Sequence, residues 1–78
     1  MQVEVIVGLK EGVLDPQGKA IHHALESLGF KGVEGVKVGK VITLEIQNDN
    51  VEVVKKEVES MCDTLLANTV IENYTIKL

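Results

Sequence analysis

The sequence contains no arginine or tryptophan, and only one cysteine and one proline among its 78 residues. Arginine is the side chain that best holds phosphates and nucleic-acid backbones, and the net charge is -4, so we expect no nucleic-acid partner. A single cysteine excludes an internal disulfide, and one thiol with two histidines offers no metal-ligand spacing. There is no N-terminal apolar signal region and no apolar run of about 18 residues, which predicts no membrane partner and a cytoplasmic location.

The length predicts a single domain over residues 1–78 with a small core. A chain of this size buries only about 60% of the surface that its unfolded form exposes, so a core of its own is marginal. Aromatic residues make up 3% of the chain, with Phe30 and Tyr74 the two examples, so the core must be aliphatic. Without a disulfide or a metal, oligomerisation is the remaining route to stability.

The N-terminal third predicts a strand followed by a helix. Apolar residues at positions 3, 5, 7 and 9 alternate with other residues, as in a strand with one apolar face. Asp15 and Pro16 predict the start of a helix, because the carboxylate can accept from free helix amides and Pro lacks a donor that has no partner there. The helix continues to about Leu28 and ends at Gly29. Its apolar residues fall at helical spacing: Ala20, Ile21, Ala24, Leu25 and Leu28.

The middle of the chain predicts one long strand from Val33 to Gln47. Lys40 is the only polar residue in an apolar set of one parity, which comprises Val36, Val38, Ile42, Leu44 and Ile46. A hairpin with Gly39-Lys40 as a two-residue loop would break this parity, whereas a three-residue loop would keep it. One strand is favoured over a hairpin, with a kink or bulge at Gly39 as a further alternative.

The C-terminal third predicts a helix and a last strand. Asp49 and Glu52 have the spacing of a capping box, and Ala67-Asn68-Thr69 is expected to end the helix because Asn tolerates a left-handed backbone. The helix carries a stripe of apolar residues, namely Val51, Val54, Val58, Met61, Cys62 and Leu65. Strand alternation follows at Val70, Tyr74, Ile76 and Leu78. The order strand-helix-long strand-helix-strand predicts an α+β fold, a ferredoxin-like half with both helices on one face of the sheet.

The long strand has a consequence for assembly. The 15 residues from 33 to 47 span ~50 Å as a strand, whereas a helix of about 13 residues covers ~20 Å. The strand therefore overhangs its helices, and we predict that another copy of the chain completes the fold. The candidate interface residues are Val36, Val38, Lys40 and Ile42. Lys40 either meets a phosphate or carboxylate of a partner or extends its ammonium to water.

No set of residues matches a catalytic pattern. His22 and His23 are adjacent on a helix, so they point about 100° apart and cannot chelate in the usual i, i+4 way. Cys62 lies in an apolar stripe, where a thiol has a raised pKa and behaves as a small hydrophobe. We predict no catalytic, cofactor-binding or metal-binding residue on this chain.

Two stretches carry a family resemblance. Asp15-Pro16-Gln17-Gly18-Lys19-Ala20 and Leu65-Leu66-Ala67-Asn68-Thr69-Val70-Ile71-Glu72 resemble, in wording and order, the PurS family of small subunits of phosphoribosylformylglycinamidine synthase. The resemblance extends from Val3 to Ile76 and includes Gly39-Lys40. It implies a non-catalytic subunit of an ATP- and glutamine-dependent amidoligase in purine biosynthesis, which bridges a synthetase subunit and a glutaminase subunit for assembly and ammonia transfer. ATP, magnesium and glutamine would be used by those partner subunits, with no cofactor on this chain.

Two alternatives come from other functional classes. Paired ferredoxin-like halves often bind small molecules at their seam, so a free dimeric regulatory module is one alternative, although the chain lacks an arginine to hold a carboxylate. A small hydrolase of the acylphosphatase kind has a similar element order. It depends on an arginine that holds phosphate, and this chain has none.

Overall fold

The backbone forms a three-stranded antiparallel sheet in the order β2-β1-β3 in a computed structural model that describes residues 1–78. The strands pair through the central β1, and two helices connect them. In chain order the elements are β1 (Gln2–Leu9), α1 (Pro16–Ser27), β2 (Lys40–Glu45), α2 (Val51–Met61), a π-turn (Cys62–Leu66) and β3 (Glu72–Lys77). The predicted α+β class and the order of strands and helices are confirmed.

The core lies between one face of the sheet and α2. Val3, Val5 and Val7 alternate along β1 as predicted, and all three side chains are buried. Val54, Val58 and Cys62 cover them from α2 and the π-turn, and Ala67 completes the buried set. Val54, Val58 and Cys62 are four residues apart, so they form one narrow row along the helix. This row faces the sheet.

The apolar stripe predicted on α2 was too wide. Val51, Met61 and Leu65 belong to that stripe, yet all three are exposed, and Leu65 retains 82% of its accessible surface. These residues flank the buried row of Val54, Val58 and Cys62, and the rest of the chain leaves much of their surface uncovered.

The second strand is shorter than predicted. Only Lys40–Glu45 forms a ladder, which pairs with β1 up to the Val7 and Lys40 register. Residues 30–39 have no neighbouring strand, and the Val38 amide donates to the Asp15 carboxylate instead of to a strand. The predicted parity is nevertheless confirmed, because the even-numbered apolar residues are half-buried and their neighbours are exposed. Gly39 marks the point where the chain enters the sheet, and no hairpin forms there.

Whereas α2 packs against the core face of the sheet, helix α1 makes few contacts with the sheet. Its contacts within the chain follow residues 33–38, and Gly18 is its only buried residue. We call residues 30–39 the return segment, and we call residues 14–39, which include α1 and the return segment, the arm. The molecule measures 49 × 23 × 15 Å with a radius of gyration of 16.0 Å, against about 11–12 Å for a compact chain of this length. The arm accounts for this elongation, since α1 lacks extensive contact with the sheet.

The ends of α1 follow the sequence prediction. Asp15 caps the N-terminus with Pro16 as the first helical residue. At the C-terminus the amides of Gly29 and Phe30 donate to the carbonyls of Glu26 and Leu25, and Gly29 adopts a φ of 92°. This hydrogen-bond pattern is the Schellman motif, in which the left-handed residue is commonly glycine.

The ends of the second helix differ from the prediction. Asn50, not Asp49, is the N-cap, and its side-chain oxygen accepts from the amides of Glu52 and Val53 at 3.1 and 3.2 Å. Asn50 directly precedes the first helical residue, where its amide oxygen can reach both of these donors.

The helix does exit at Ala67–Thr69, but Asn68 is not left-handed. Its side chain accepts from Val70, and its carbonyl accepts from Ile71 and Glu72. Hydrogen bonds of this turn end the helix without a positive φ, so the strand starts only at Glu72, after Val70.

Candidate interaction surface

Asp15 joins the two sides of the arm through both of its carboxylate oxygens. Oδ1 accepts from the Gly18 amide at 2.9 Å, which caps α1, and Oδ2 accepts from the Val38 amide at 2.9 Å, which holds the return segment. The hydrogen bond from Val38, followed by that from Gly18, lowers the pKa of the Asp15 carboxyl below its ordinary value. The ionised carboxylate is therefore the form that holds the arm together.

Two glycines permit close approach of the backbone at this junction. A Cβ on Gly18 would overlap the carbonyl oxygen of Val36, and a Cβ on Gly39 would lie 2.7 Å from the carbonyl oxygen of Val7. Gly18 therefore lets α1 contact the return segment, and Gly39 lets that segment contact the sheet.

Two further contacts hold the return segment, one to α1 and one to the turn that follows β1. Nε2 of His22 lies 2.7 Å from the Val33 carbonyl oxygen and 3.4 Å from Oε1 of Glu26. Lys37 forms an exposed ion pair with Glu11 at 3.1 Å, which contributes little because water screens it. The His22 ring thus connects α1 to the backbone of the return segment.

The arm exposes apolar side chains that the single chain leaves uncovered. Leu28 and Phe30 retain 74% and 58% of their accessible surface, and Ile21 is also exposed. They belong to the apolar face of α1 and to the turn that follows it. Three large exposed apolar side chains within ten residues of one segment are suited to a protein–protein contact.

The predicted interface residues occupy two different environments. Val36 and Val38 are half-buried on the return segment, whereas Ile42 packs against the chain's own core and so offers only part of its surface. Lys40 is exposed, lies opposite Val7 at the end of the ladder between β1 and β2, and forms no ion pair within the chain. The part played by these four residues at an interface stays a prediction.

The one cysteine of the chain serves packing. Cys62 is fully buried, and desolvation raises the pKa of its thiol, with the charges of Asp63 and Glu59 acting in the same direction. This agrees with the sequence expectation for that cysteine. The chain brings no three His, Cys, Asp or Glu side chains together as a metal site. Neither helix has the length and apolar character that crossing a bilayer requires.

Sequence reasoning missed the second role of Asp15 and one apolar groove. The groove lies between β2 and the C-terminal end of α2, where Leu44 meets Met61, Leu65 and Leu66. A signal for Asp15 was available, since a carboxylate has two acceptor oxygens and a single helix cap leaves one of them free. Its Val38 partner lies 23 residues away, which no local pattern reveals.

Comparisons with known proteins cover nearly the whole chain. The PurS family, phosphoribosylformylglycinamidine (FGAM) synthase, matches residues 2–78. The PurS subunit of that synthase from Methanocaldococcus jannaschii is 50% identical over 74 residues, which are 95% of this chain and 89% of the relative. The Bacillus subtilis subunit is 49% identical over 75 residues, 94% of this chain and 86% of the relative. Each relative is a synthase subunit, so neither favours the alternative of a free regulatory module.

Solved structures agree with these relatives. The crystal structure of the Methanocaldococcus jannaschii PurS subunit has a TM-score of 0.85 at 50% identity, with 97% of this chain and 92% of that chain covered. A chain in the structure of PurLQS from Thermotoga maritima has a TM-score of 0.87 at 32% identity, with 97% and 93% covered. The chain therefore belongs to the PurS family of phosphoribosylformylglycinamidine synthase subunits in purine biosynthesis.

Proposed function

We propose that this chain is a non-catalytic subunit that bridges the synthetase and glutaminase subunits of the enzyme in the cytoplasm. The enzyme would use ATP and glutamine-derived ammonia to convert an amide into an amidine. This chain would hold the two active sites in a fixed relation so that ammonia passes between them. Alignment of two sites can contribute several orders of magnitude to a rate, because it replaces a chance encounter by a fixed geometry.

The observation that carries this proposal is the arm. Its apolar residues, among them Leu28 and Phe30, are exposed in the single chain, although hydrogen bonds to the Asp15 carboxylate and from the His22 ring hold its backbone in place. A held segment with an uncovered apolar surface is suited to contact another chain. The related chain in PurLQS from Thermotoga maritima supports a partner of the same kind here.

The arm also supports self-association as a dimer or tetramer. The small core of seven buried apolar residues leaves α1 without a cover, and a second copy would supply one. Both β2 and β3 are edge strands with one unpaired side, which offers a second way for copies to join.

The test is a comparison of nitrogen sources. The purified synthetase and glutaminase subunits are assayed with glutamine and, separately, with a high concentration of free ammonia, each with and without this protein. We expect the protein to raise the glutamine-dependent rate by orders of magnitude and the ammonia-dependent rate much less. An unchanged ratio of the two rates would contradict the bridging role.

The same assay tests whether the chain does chemistry. Cys62→Ala and His23→Gln should preserve the stimulation apart from modest losses of packing at Cys62, which is buried. The isolated chain should hydrolyse neither glutamine nor ATP. Turnover by the isolated chain that disappears in the Cys62 variant would assign the reaction to this subunit instead.

A further inference from the structure

We infer that Asp15 is a positioning residue for glutamine-dependent synthesis, because its carboxylate sets the direction in which the arm leaves the sheet. This inference rests on the proposed bridging function and adds the device that makes the bridge rigid. Asp15 takes part in no chemical step. It acts through the backbone of the return segment that it holds.

The geometry of Asp15 goes beyond helix capping. A cap needs one acceptor oxygen, which Oδ1 supplies to the Gly18 amide at 2.9 Å. Oδ2 accepts from Val38 at 2.9 Å, two residues before β2 begins. One carboxylate thus links the first turn of α1 to the segment that enters the sheet.

Two glycines act together with Asp15 at this junction, and we call residues 15, 18 and 39 the joint. Gly18 contacts the carbonyl of Val36, and Gly39 contacts the carbonyl of Val7 in the central strand, so neither position has room for a Cβ. Gly39 adopts no positive φ, so close approach is the reason for a glycine there. The three residues 15, 18 and 39 together hold α1, the return segment and β1 in one arrangement.

The need for such a joint follows from the shape of the molecule. The arm extends from a sheet with which α1 lacks extensive contact, so packing of α1 on the sheet cannot set its direction. Val38 and Gly39 are the last residues of the arm before β2, and Asp15 holds the first of them. A subunit that aligns two distant sites loses its effect when this direction varies, because a shift of about 1 Å can cost up to about 100-fold in rate.

Asp15→Ser and Asp15→Asn separate the joint from the cap. Serine keeps one oxygen for the Gly18 amide but lacks the second that Val38 needs. Asparagine presents an NH₂ group where Val38 requires an acceptor. We expect both variants to keep the amide of Gly18 protected from hydrogen exchange and to release the amide of Val38. If the Val38 amide stays protected in both variants, the inference that Asp15 holds the return segment is wrong.

The functional measurement is the ratio of glutamine-dependent to ammonia-dependent rate in the complex with the synthetase and glutaminase subunits. We expect Asp15→Ser and Asp15→Asn to lower this ratio by about tenfold. Asn50→Ala is the matched control, since it removes an equivalent cap from α2 far from the arm. It should lower the melting temperature but leave the ratio unchanged. A ratio that follows melting temperature across these variants would overturn the positioning role.

A pair of glycine variants tests whether a lower ratio in the Asp15 variants comes instead from lost contact between Asp15 and a partner. In Gly39→Ala the nearest neighbours of the added methyl group are backbone atoms of Val7 and Gly8, so this variant shifts the return segment against β1 without contacting Asp15, and we expect the ratio to fall. Gly8→Ala is its control, because nothing lies within 4 Å of the added methyl group. An unchanged ratio for Gly39→Ala beside a reduced one for Asp15→Ser would contradict the joint and assign Asp15 to a partner contact.

The outcomes also distinguish the inference from the proposed function. If the wild-type protein raises the ratio and the Asp15 variants raise it equally, bridging stands and the positioning role is wrong. If the wild-type protein itself leaves the ratio unchanged, the bridging function fails and the positioning role fails with it.

Discussion

The phenol of Tyr74 donates a hydrogen bond to the carboxylate of Asp63, with 3.0 Å between Oη and Oδ1. This bond ties the centre of β3 to the π-turn that follows α2. Tyr74 lies beside Val7 in the sheet, and Asp63 directly follows the buried Cys62. The contact therefore links β3 to the segment that carries the buried Cys62, and it raises the pKa of the Tyr74 phenol.

Removal of this bond should loosen the π-turn. Tyr74→Phe keeps the ring but loses the donor, so we expect a fall of a few degrees in melting temperature. Asp63→Ala should have a similar effect. Because the two groups contact each other, the double variant should lose less than the sum of the single losses, as measured by a double-mutant cycle. Additive losses would show that the bond does not contribute to stability.

The same bond predicts a dependence on alkaline pH. The pKa of Tyr74 is raised above its ordinary value of 10.0, so the folded protein favours the protonated phenol. The stabilisation is fully present below that value and is lost as the pH rises through the folded-state pKa. The difference in melting temperature between the wild type and Tyr74→Phe should therefore shrink above about pH 10. A constant difference up to pH 11 would contradict this.

Asp15 predicts the opposite dependence in acid. Its pKa is lowered from the ordinary value of 3.8, so the charged form stabilises the fold above that value, and this contribution is lost as the pH falls through the folded-state pKa. The amide of Val38 should lose its protection from hydrogen exchange in the same pH range, after correction for the intrinsic exchange rate. Asp15→Asn should lack this transition.

The narrow core face of α2 predicts a sharp contrast between two apolar residues. Val58 is fully buried, so Val58→Ala should cost about 2 kcal/mol of unfolding free energy through lost transfer energy and a cavity. Leu65 is exposed, so Leu65→Ala should change the stability of the isolated chain by less than about 0.5 kcal/mol. Denaturant titration measures both values. A large loss for Leu65→Ala at low concentration, where copies are separate, would contradict the assigned face.

The uncovered arm predicts self-association at micromolar concentration. The chain has a mass of 8.5 kDa, and we expect sedimentation to detect a dimer or a larger species. Leu28→Lys places a charge on the exposed apolar surface of the arm and should shift the population towards monomer, whereas Glu57→Lys on the solvent side of α2 should not. A heat-stable monomer of the wild type at high concentration would contradict this prediction.

The sequence determined the order and type of elements through local physics. Alternation at Val3, Val5 and Val7 predicts the central strand, and Asp15-Pro16 and Gly29 predict both ends of α1. These signals operate over a few residues, where steric and hydrogen-bond preferences of the backbone dominate. The resemblance carried by the stretches around Asp15 and Asn68 likewise predicted the family that the comparisons confirm.

The tertiary structure decided which surfaces are covered. Periodicity marks Val58 and Leu65 as equally apolar, but Val58 packs in the cluster with the valines of β1 and is buried, whereas Leu65 lies outside that cluster and is exposed. The length of β2 depends on whether a neighbouring strand exists, and the second oxygen of Asp15 finds its donor 23 residues away at Val38. Burial and long-range hydrogen bonds depend on the relative placement of distant segments, which a local pattern of residues does not contain.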